Sequence, residues 1–232
     1  MILLQSFSHN FASTNSINKL STEPDSTNRH LFEFSSQCKY DIKPFYVSPE
    51  DKNWNMDNGW GLSTGSPFKT IQYAIDMREP CQTIFVMNGT YRNHDFGRSL
   101  DNRNNIVNLN GVSDMKLLAY PNAGPILKFD GSGGIMGGSP SNPISNIEIS
   151  GFEIEGPNEK ITYEDATKNR IIKSARYTGR GVAIWAGNHI YIHDMEIHHC
   201  PGSGIRVNKG DYVTIADNKV YSNTWWGLEF NS

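Results

Sequence analysis

The chain has 232 residues, 37% hydrophobic and 19% charged, with 21 Gly and a formal net charge of −3. Abundant glycine with little charge argues against helical bundles and for short strands joined by many turns. A slightly acidic chain without interleaved basic and aromatic residues gives no platform for nucleic acid. No run approaches about 18 apolar residues, so no membrane-spanning helix is expected.

Residues 1–40 are expected to be a poorly ordered leader. Met1-Ile2-Leu3-Leu4 is apolar, but residues 8–30 are rich in Ser, Asn and Thr with little to bury. The start lacks the basic segment and the apolar core of about 7–15 residues that mark a secretory signal. Cys38, Cys81 and Cys200 are odd in number and far apart, without CxxC spacing or a disulfide framework. They are expected to be ordinary thiols, with oxidation of one pair left open.

Residues 41–232 read as one domain. Its opening part, 45–80, combines the apolar Phe45-Tyr46-Val47 with a helix starting at Ser66-Pro67 and burying Ile71, Ala74 and Ile75 on one face. That helix should plug the open end of a solenoid.

Strands follow over 83–232. Gly181-Val182-Ala183-Ile184-Trp185, Gly204-Ile205-Arg206-Val207-Asn208 and Gly227-Leu228-Glu229-Phe230-Asn231 recur at a constant interval of about 23 residues, as do Ile190 and Val213, Ile192 and Ile215, and Ile197 and Val220. Alternation within each repeat marks three short half-buried strands, and Asn188, Asp194, Pro201-Gly202, Gly210-Asp211 and Asn218 supply turns between them. Upstream, Ile147-Glu148-Ile149 and Phe152-Glu153-Ile154 match Ile190-Tyr191-Ile192 and Met195-Glu196-Ile197 at a longer offset, which is one repeat plus an insertion of about 20 residues within 156–180. Ile84 and Val86 relate to Val107 and Leu109 by the shorter interval, and Leu117 and Ala119 are expected above Ile147 and Ile149. The solenoid therefore starts near Ile84. The fold class is all-β: a parallel β-helix of about 23 residues per rung with a short N-terminal capping helix. Helical and leucine-rich repeats lack their spacing here.

The segments FYVSPEDKN, GLSTGSPFKTIQYAID and TIFVMNGTY resemble the opening of pectate-lyase-like right-handed β-helix proteins, and NHIYIHDMEIHHCPGSGIRV resembles their repeat. The resemblance runs from Phe45 to Ser232. It implies a carbohydrate-active protein, with an acidic polysaccharide as partner and an extracellular or cell-surface location. The superfamily holds polysaccharide lyases, glycoside hydrolases, epimerases and proteins without activity, so the fold alone does not choose among them. Ser232 closes a strand with no cap after it, which implies a truncated member. The strand edge over 225–232 predicts end-to-end association unless more chain follows.

Candidate site residues come from the outward positions. With Val182, Ile184, Ile205, Val207, Leu228 and Phe230 inward, Ala183, Arg206 and Glu229 form one outer column, and Trp185, Asn208 and Asn231 the next. The insertion is basic from Ala166 to Arg180, with Lys168, Arg170, Lys173, Arg176 and Arg180 and no acid, which suits an acidic chain. Elimination at a uronate needs a base and a cation that neutralises the carboxylate. Related lyases typically use Lys or Arg as the base, so the resemblance implies Lys173 or Lys209 as candidate base and Arg206 as neutraliser, with Arg176, Arg180, Trp185, Asn208 and Glu229 contacting substrate. Calcium is the candidate cofactor, since Asp194 and Asp217 stack at one turn. The plainer alternative is a surface ladder whose Arg206–Glu229 pair is worth about 0–1 kcal/mol.

Glu153, Glu155 and Lys160 resemble the ExE…Lys arrangement of alginate and chondroitin lyases, but Gly156-Pro157 interrupts it and no role is carried over. His193, His198 and His199 are expected at the surface or in turns, because neighbours on a strand face opposite ways. Trp225 and Trp226 suit either sugar stacking or cover for a further strand. The reading is a polysaccharide lyase, with a non-catalytic carbohydrate-binding or structural β-helix, or a glycoside hydrolase, as alternatives. Ice binding is disfavoured for want of Thr ladders.

Overall fold

Apolar residues at every second position give this chain strands with one buried face, and the strands pair in parallel. The computed structural model describes residues 3–4, 38, 42–50, 60–92, 105–131, 133–169, 171 and 175–231; residues 8–30, read as leader, lie outside them. In chain order the elements are β1 (Leu3–Leu4), β2 (Phe45–Val47), α1 (Ile71–Met77), β3 (Thr83–Val86), β4 (Gly89–Arg92), β5 (Asn105–Asn108), β6 (Ser113–Ala119), β7 (Pro125–Lys128), β8 (Gly133–Gly137), β9 (Ile144–Ser150) and β10 (Glu153–Glu155). Then come α2 (Tyr163–Asn169), α3 (Ala175–Thr178), β11 (Arg180–His193), β12 (Glu196–His198), β13 (Ile205–Ala216), β14 (Lys219–Tyr221) and β15 (Leu228–Phe230).

These strands make two parallel sheets, an arrangement consistent with a β-helix. The first runs β1-β13-β11-β9-β6-β3-β2, with β15 on β13 and β5–β8 on β11; the second runs β14-β12-β10-β7-β4. Val182 pairs with Ile205 and Ile205 with Leu228, and Glu196 pairs with Lys219, all at the shorter of the two predicted intervals. Ile147 pairs with Ile190 and Ile154 with Ile197, at the longer one that spans the insertion. Both intervals are the ones the sequence pattern predicts.

Earlier registers differ from expectation. Ile84 pairs with Leu117 rather than Val107, and Val107 pairs instead with Ile135. Leu117 pairs with Ile149 rather than Ile147. A slip by two positions keeps every side chain on its face, so alternation alone cannot choose between these two partners. The first sheet also begins earlier than Ile84, because Phe45 pairs with Ile84. At the other edge Leu3 and Leu4 pair with Thr214 and Ile215, so part of the expected leader is strand.

The core is one cluster. Ile84, Val86, Leu117, Ile147, Ile149, Val182, Ile184, Ile190, Ile192 and Ile197 are fully buried, each aliphatic contributing roughly 1.5–3 kcal/mol. Tyr91 is buried among them and donates its hydroxyl to the Val47 and Met87 carbonyls, both at 3.1 Å. Leu228 is an exception to the inward column: it is 38% exposed, because β15 is the outermost strand on that half of β13 among the described residues.

Helix α1 starts later than Ser66-Pro67. Phe68 is held strand-like beside Val47, its N–H donating to the Tyr46 carbonyl at 2.8 Å. Thr70 is the N-cap, its hydroxyl accepting from the Tyr73 N–H at 2.8 Å. Ile71, Ala74 and Ile75 are buried as predicted, and the helix packs on β2, β3 and β5.

Corners between strands rest on left-handed residues. Asp114, Asn146, His189 and Tyr212 lie in aligned positions with φ between 51° and 54°, and Asp194 and Asp217 repeat this at the next corner with φ of 52° and 54°. Gly138, with φ of 74°, is different in kind: a Cβ there would lie 1.9 Å from the Ala186 carbonyl oxygen.

Cys38 and Cys81 form a disulfide, correcting the expectation of ordinary thiols. They are 43 residues apart in sequence with Cα atoms 5.4 Å apart, a proximity created by tertiary folding that spacing could not reveal. Cys200 is a buried free thiol, and burial pushes it up and leaves it inert.

Two outcomes are expected. Replacing both Cys38 and Cys81 by Ser should lower unfolding free energy by about 2–4 kcal/mol in urea titration, the effect of releasing a loop of this size. Gly138→Ala should cost roughly 2 kcal/mol or more by the same measurement, through backbone strain and contact with Ala186.

Candidate functional site

The outward residues of the last three strands of the first sheet build a polar cluster. Register places Ala183, Arg206 and Glu229 in one column, each flanked by aliphatic or aromatic residues of the inward set that fix its direction. The Arg206 Nη1 lies 3.3 Å from Glu229 Oε1, with side chains only 18% and 17% exposed. Arg206 Nε donates to Asn208 Oδ1 at 2.9 Å. Asn231 Nδ2 donates to Asn208 Oδ1 at 3.1 Å and to Glu229 Oε1 at 3.3 Å. The fully buried Ser203 donates its hydroxyl to Glu229 Oε2. These contacts hold a guanidinium and a carboxylate in one fixed arrangement.

Arg180 enters from the end of the insertion, at the first position of β11. Its guanidinium lies 5.4 Å from the Trp185 ring centroid and that of Arg206 4.8 Å from it, so one indole carries two cations. Arg180 is 9% exposed and donates from Nη1 to the Thr178 carbonyl at 3.1 Å. Its Nε and the indole Nε1 of Trp185 are buried without a hydrogen-bond partner among the described residues. Burial, then the charge of Arg206, pull the Arg180 guanidinium down to about 10, with Glu229 opposing. It remains a cation at neutral pH.

Glycine permits this approach. Gly133 in β8 pairs with Arg180, and a Cβ at Gly133 would lie 2.4 Å from the Arg180 carbonyl oxygen. The glycines between Gly131 and Gly138 carry this signal in the sequence, as a place where backbones pass closely.

Of the predicted site residues, Arg180, Trp185, Arg206, Asn208 and Glu229 come together, joined by Ser203 and Asn231. Lys209 does not join them: it is exposed on β13 beyond Asn208, in register with Ala186. Arg176 falls in α3, and Lys173 lies outside the described residues. The basic insertion contains α2, α3 and a 3-10 turn at Asn158–Lys160. It is tied at its base by Asn158, which donates to the Ser222 carbonyl at 3.1 Å and accepts from the Thr224 hydroxyl at 2.6 Å.

Two of the three histidines, His193 and His198, depart from the expected surface or turn positions, whereas His199 lies just after β12. His193 is half-buried, with Nε2 3.2 Å from Glu148 Oε1 and Nδ1 2.7 Å from Asp194 Oδ2. Lys116 Nζ lies 2.8 Å from the other Glu148 oxygen, and the Tyr191 ring stacks on His193 at 4.0 Å. Burial works against the imidazolium, but the hydrogen bonds to Glu148 and Asp194 outweigh it and raise the His193 pKa. The His193 hydrogen bond, with help from Lys116, holds Glu148 below its usual range. Glu148 lies on the strand before the insertion and His193 on the strand after it, so only stacking across the insertion reveals the pair. His198 is buried too, at Glu153. Asp194, raised as a calcium ligand with Asp217, turns its carboxylate to His193, and no group of three or more His, Cys, Asp or Glu side chains gathers for a metal among the described residues.

No family model and no curated protein matches this chain. Among solved structures it is similar to pectate lyase Pel9A, at 17% identity and a TM-score of 0.54, over 81% of this chain and 42% of that one. A rhamnogalacturonan lyase aligns at 12% identity and a TM-score of 0.38, over 82% of this chain and 51% of that one. The chain thus spans about half the length of these proteins or less, and at this identity what it shares with pectate lyase Pel9A is the fold of its two parallel sheets.

Proposed function

We propose that this chain is part of a carbohydrate-active, right-handed parallel β-helix protein, capped by α1, that cleaves an acidic polysaccharide by β-elimination. The observation that carries the reading is the Arg180–Trp185–Arg206 group: two guanidiniums on one indole, with Glu229 as their only carboxylate partner among the described residues. That charge imbalance at the foot of a basic insertion suits a sugar carboxylate, and the indole offers apolar surface to a sugar ring.

In this mechanism Arg206 neutralises the uronate carboxylate, which makes the adjacent C5 proton acidic. Asn208 and Glu229 fix the guanidinium, and Arg180 and Arg176 hold neighbouring acidic units. A lysine amine, Lys209 or Lys173, takes the C5 proton. The electron pair forms the C4–C5 double bond as the C4–O bond breaks, and the leaving oxygen takes a proton from the lysine ammonium so formed, directly or through water. Calcium is the alternative neutraliser; no step is assigned to it. The Cys38–Cys81 disulfide supports an extracellular or cell-surface location, where such bonds persist. One feature favours a purely binding role instead: Glu229 already pairs with Arg206, and no described lysine sits against them.

A screen of pectate, alginate, chondroitin and sulfated algal glycans, with and without Ca²⁺, distinguishes these readings. New ultraviolet absorbance from unsaturated uronates is expected, with Arg206→Ala lowering kcat/KM by about 10²–10³ and loss of the base lysine lowering kcat by about 10²–10⁴. Binding without absorbance would establish the non-catalytic alternative, and reducing ends without absorbance would establish hydrolysis. A folded chain inert towards every glycan sinks the proposal.

A further inference from the structure

On the outer face of the first sheet, further along β11 than the arginine cluster, one imidazole stands between two carboxylates. His193 Nε2 lies 3.2 Å from Glu148 Oε1 and its Nδ1 2.7 Å from Asp194 Oδ2. An ionised carboxylate only accepts hydrogen bonds, so both contacts are made together only when both ring nitrogens carry protons. Ser150 is the register partner of His193 on β9, and its hydroxyl oxygen is 3.3 Å from that same Nδ1. A hydroxyl donates as well as accepts, so Nδ1 has one partner suited to a protonated nitrogen and another suited to a lone pair. Lys116 on β6 lies 2.8 Å from the second Glu148 oxygen, and Tyr191 on β11 stacks on the His193 ring at 4.0 Å. On the other flank β13 sets the uncharged Ala216 beside His193, with Asp217 following at the corner.

We propose that His193 is a pH-operated switch of hydrogen-bond partners: as imidazolium it clamps Glu148 to Asp194, and as neutral imidazole it passes Nδ1 from Asp194 to Ser150. The proton leaves from Nδ1 rather than Nε2 because the two carboxylates differ in burial. The Glu148 side chain is 15% exposed and that of Asp194 64%, so water replaces a lost donor at Asp194 far more readily than at Glu148. Ser150 then turns its hydroxyl to donate to the vacated lone pair. Burial lowers the His193 pKa, but the hydrogen bonds to Glu148 and Asp194 outweigh it and raise it. A histidine raised on folding contributes its stability in full below the unfolded value of about 6.5, and that contribution is lost as pH rises through the folded midpoint. Glu148 lies on β9 before the insertion and His193 on β11 after it, so the clamp that loosens joins the two strands that flank the insertion. The switch does not depend on the lyase reading.

Imidazole nitrogen NMR of the full chain across pH, with the His193 signal assigned by its loss in His193→Gln, tests the switch. A midpoint above about 6.5 and a neutral form protonated at Nε2 are expected. Asp194→Asn, which tolerates the left-handed corner, should lower the midpoint by about one unit, because a charge favouring the imidazolium is gone. Ser150→Ala should raise it by about half a unit, because the neutral ring loses its donor. In urea titration the folding equilibrium constant should fall as pH rises through the midpoint, by about tenfold for each unit by which the midpoint exceeds the unfolded value, and the fall should shrink in His193→Gln. Circular dichroism checks that each variant is folded. An unchanged midpoint in Asp194→Asn, or an undiminished fall in His193→Gln, would overturn the clamp. An unchanged or lowered midpoint in Ser150→Ala, or a neutral form protonated at Nδ1 in the native chain, would overturn the exchange of partners.

Discussion

Burial of aliphatic side chains in parallel register is the constraint on which the rest of this structure depends. Val182 over Ile205, Ile184 over Val207 and Ile190 over Val213 stack inside the first sheet, and Ile154 over Ile197 inside the second. Moving a strand by one residue would turn each aliphatic outward and each polar residue inward, at a cost of roughly 1.5–3 kcal/mol for each side chain exposed. The direction of every outward side chain is fixed by its buried neighbours. Arg206 points outward because Ile205 and Val207 cannot.

In-register parallel stacking also stacks charge, and like charges directly above one another repel. The chain meets this by alternating sign down its columns. Lys116 meets Glu148, which His193 reaches diagonally from two positions along the next strand; Lys128 meets Glu155; Glu196 meets Lys219; Arg206 meets Glu229. Each partner comes from a different strand, so these are cross-strand pairs rather than local ones. Glu153 and Glu196 are aligned carboxylates, and each has a cationic or ionisable partner, His198 and Lys219 respectively.

Legibility in the sequence follows the regularity of the turns. Where the repeat length is constant, alternation and glycine position specify the pairing and hence the Arg206 and Trp185 columns. Where corners vary in length, as between β3 and β6, the same alternation fits more than one register, and the expected pairing of Ile84 with Val107 fails. Local conformation is the second obstacle. The rule that strand neighbours diverge fails at His199 because its φ is positive, which is uncommon for any residue but glycine. The disulfide and the His193–Glu148 contact are tertiary, joining positions that no single repeat connects. Ser203 carries no signal of its own, because its role depends on Glu229 in the next repeat and on a carboxylate needing a buried donor.

Arg180 is the exception that gives the arginine cluster its chemical character. Lys116, Lys128, Lys219 and Arg206 each have a carboxylate partner, but Arg180 has no carboxylate at ion-pair distance among the described residues and is largely buried. Removing a guanidinium from water costs several kcal/mol unless other groups compensate. The Trp185 face supplies about 2 kcal/mol when desolvated, and the Thr178 carbonyl supplies one charge-assisted hydrogen bond. Arg206 on the same indole works the other way, by repulsion. The cluster therefore holds more positive charge than its own residues neutralise. Under the proposed reading, an anion bound beside Arg180 and Arg206 would relieve repulsion as well as gain attraction, an effect that a ladder of fully matched charges would not offer.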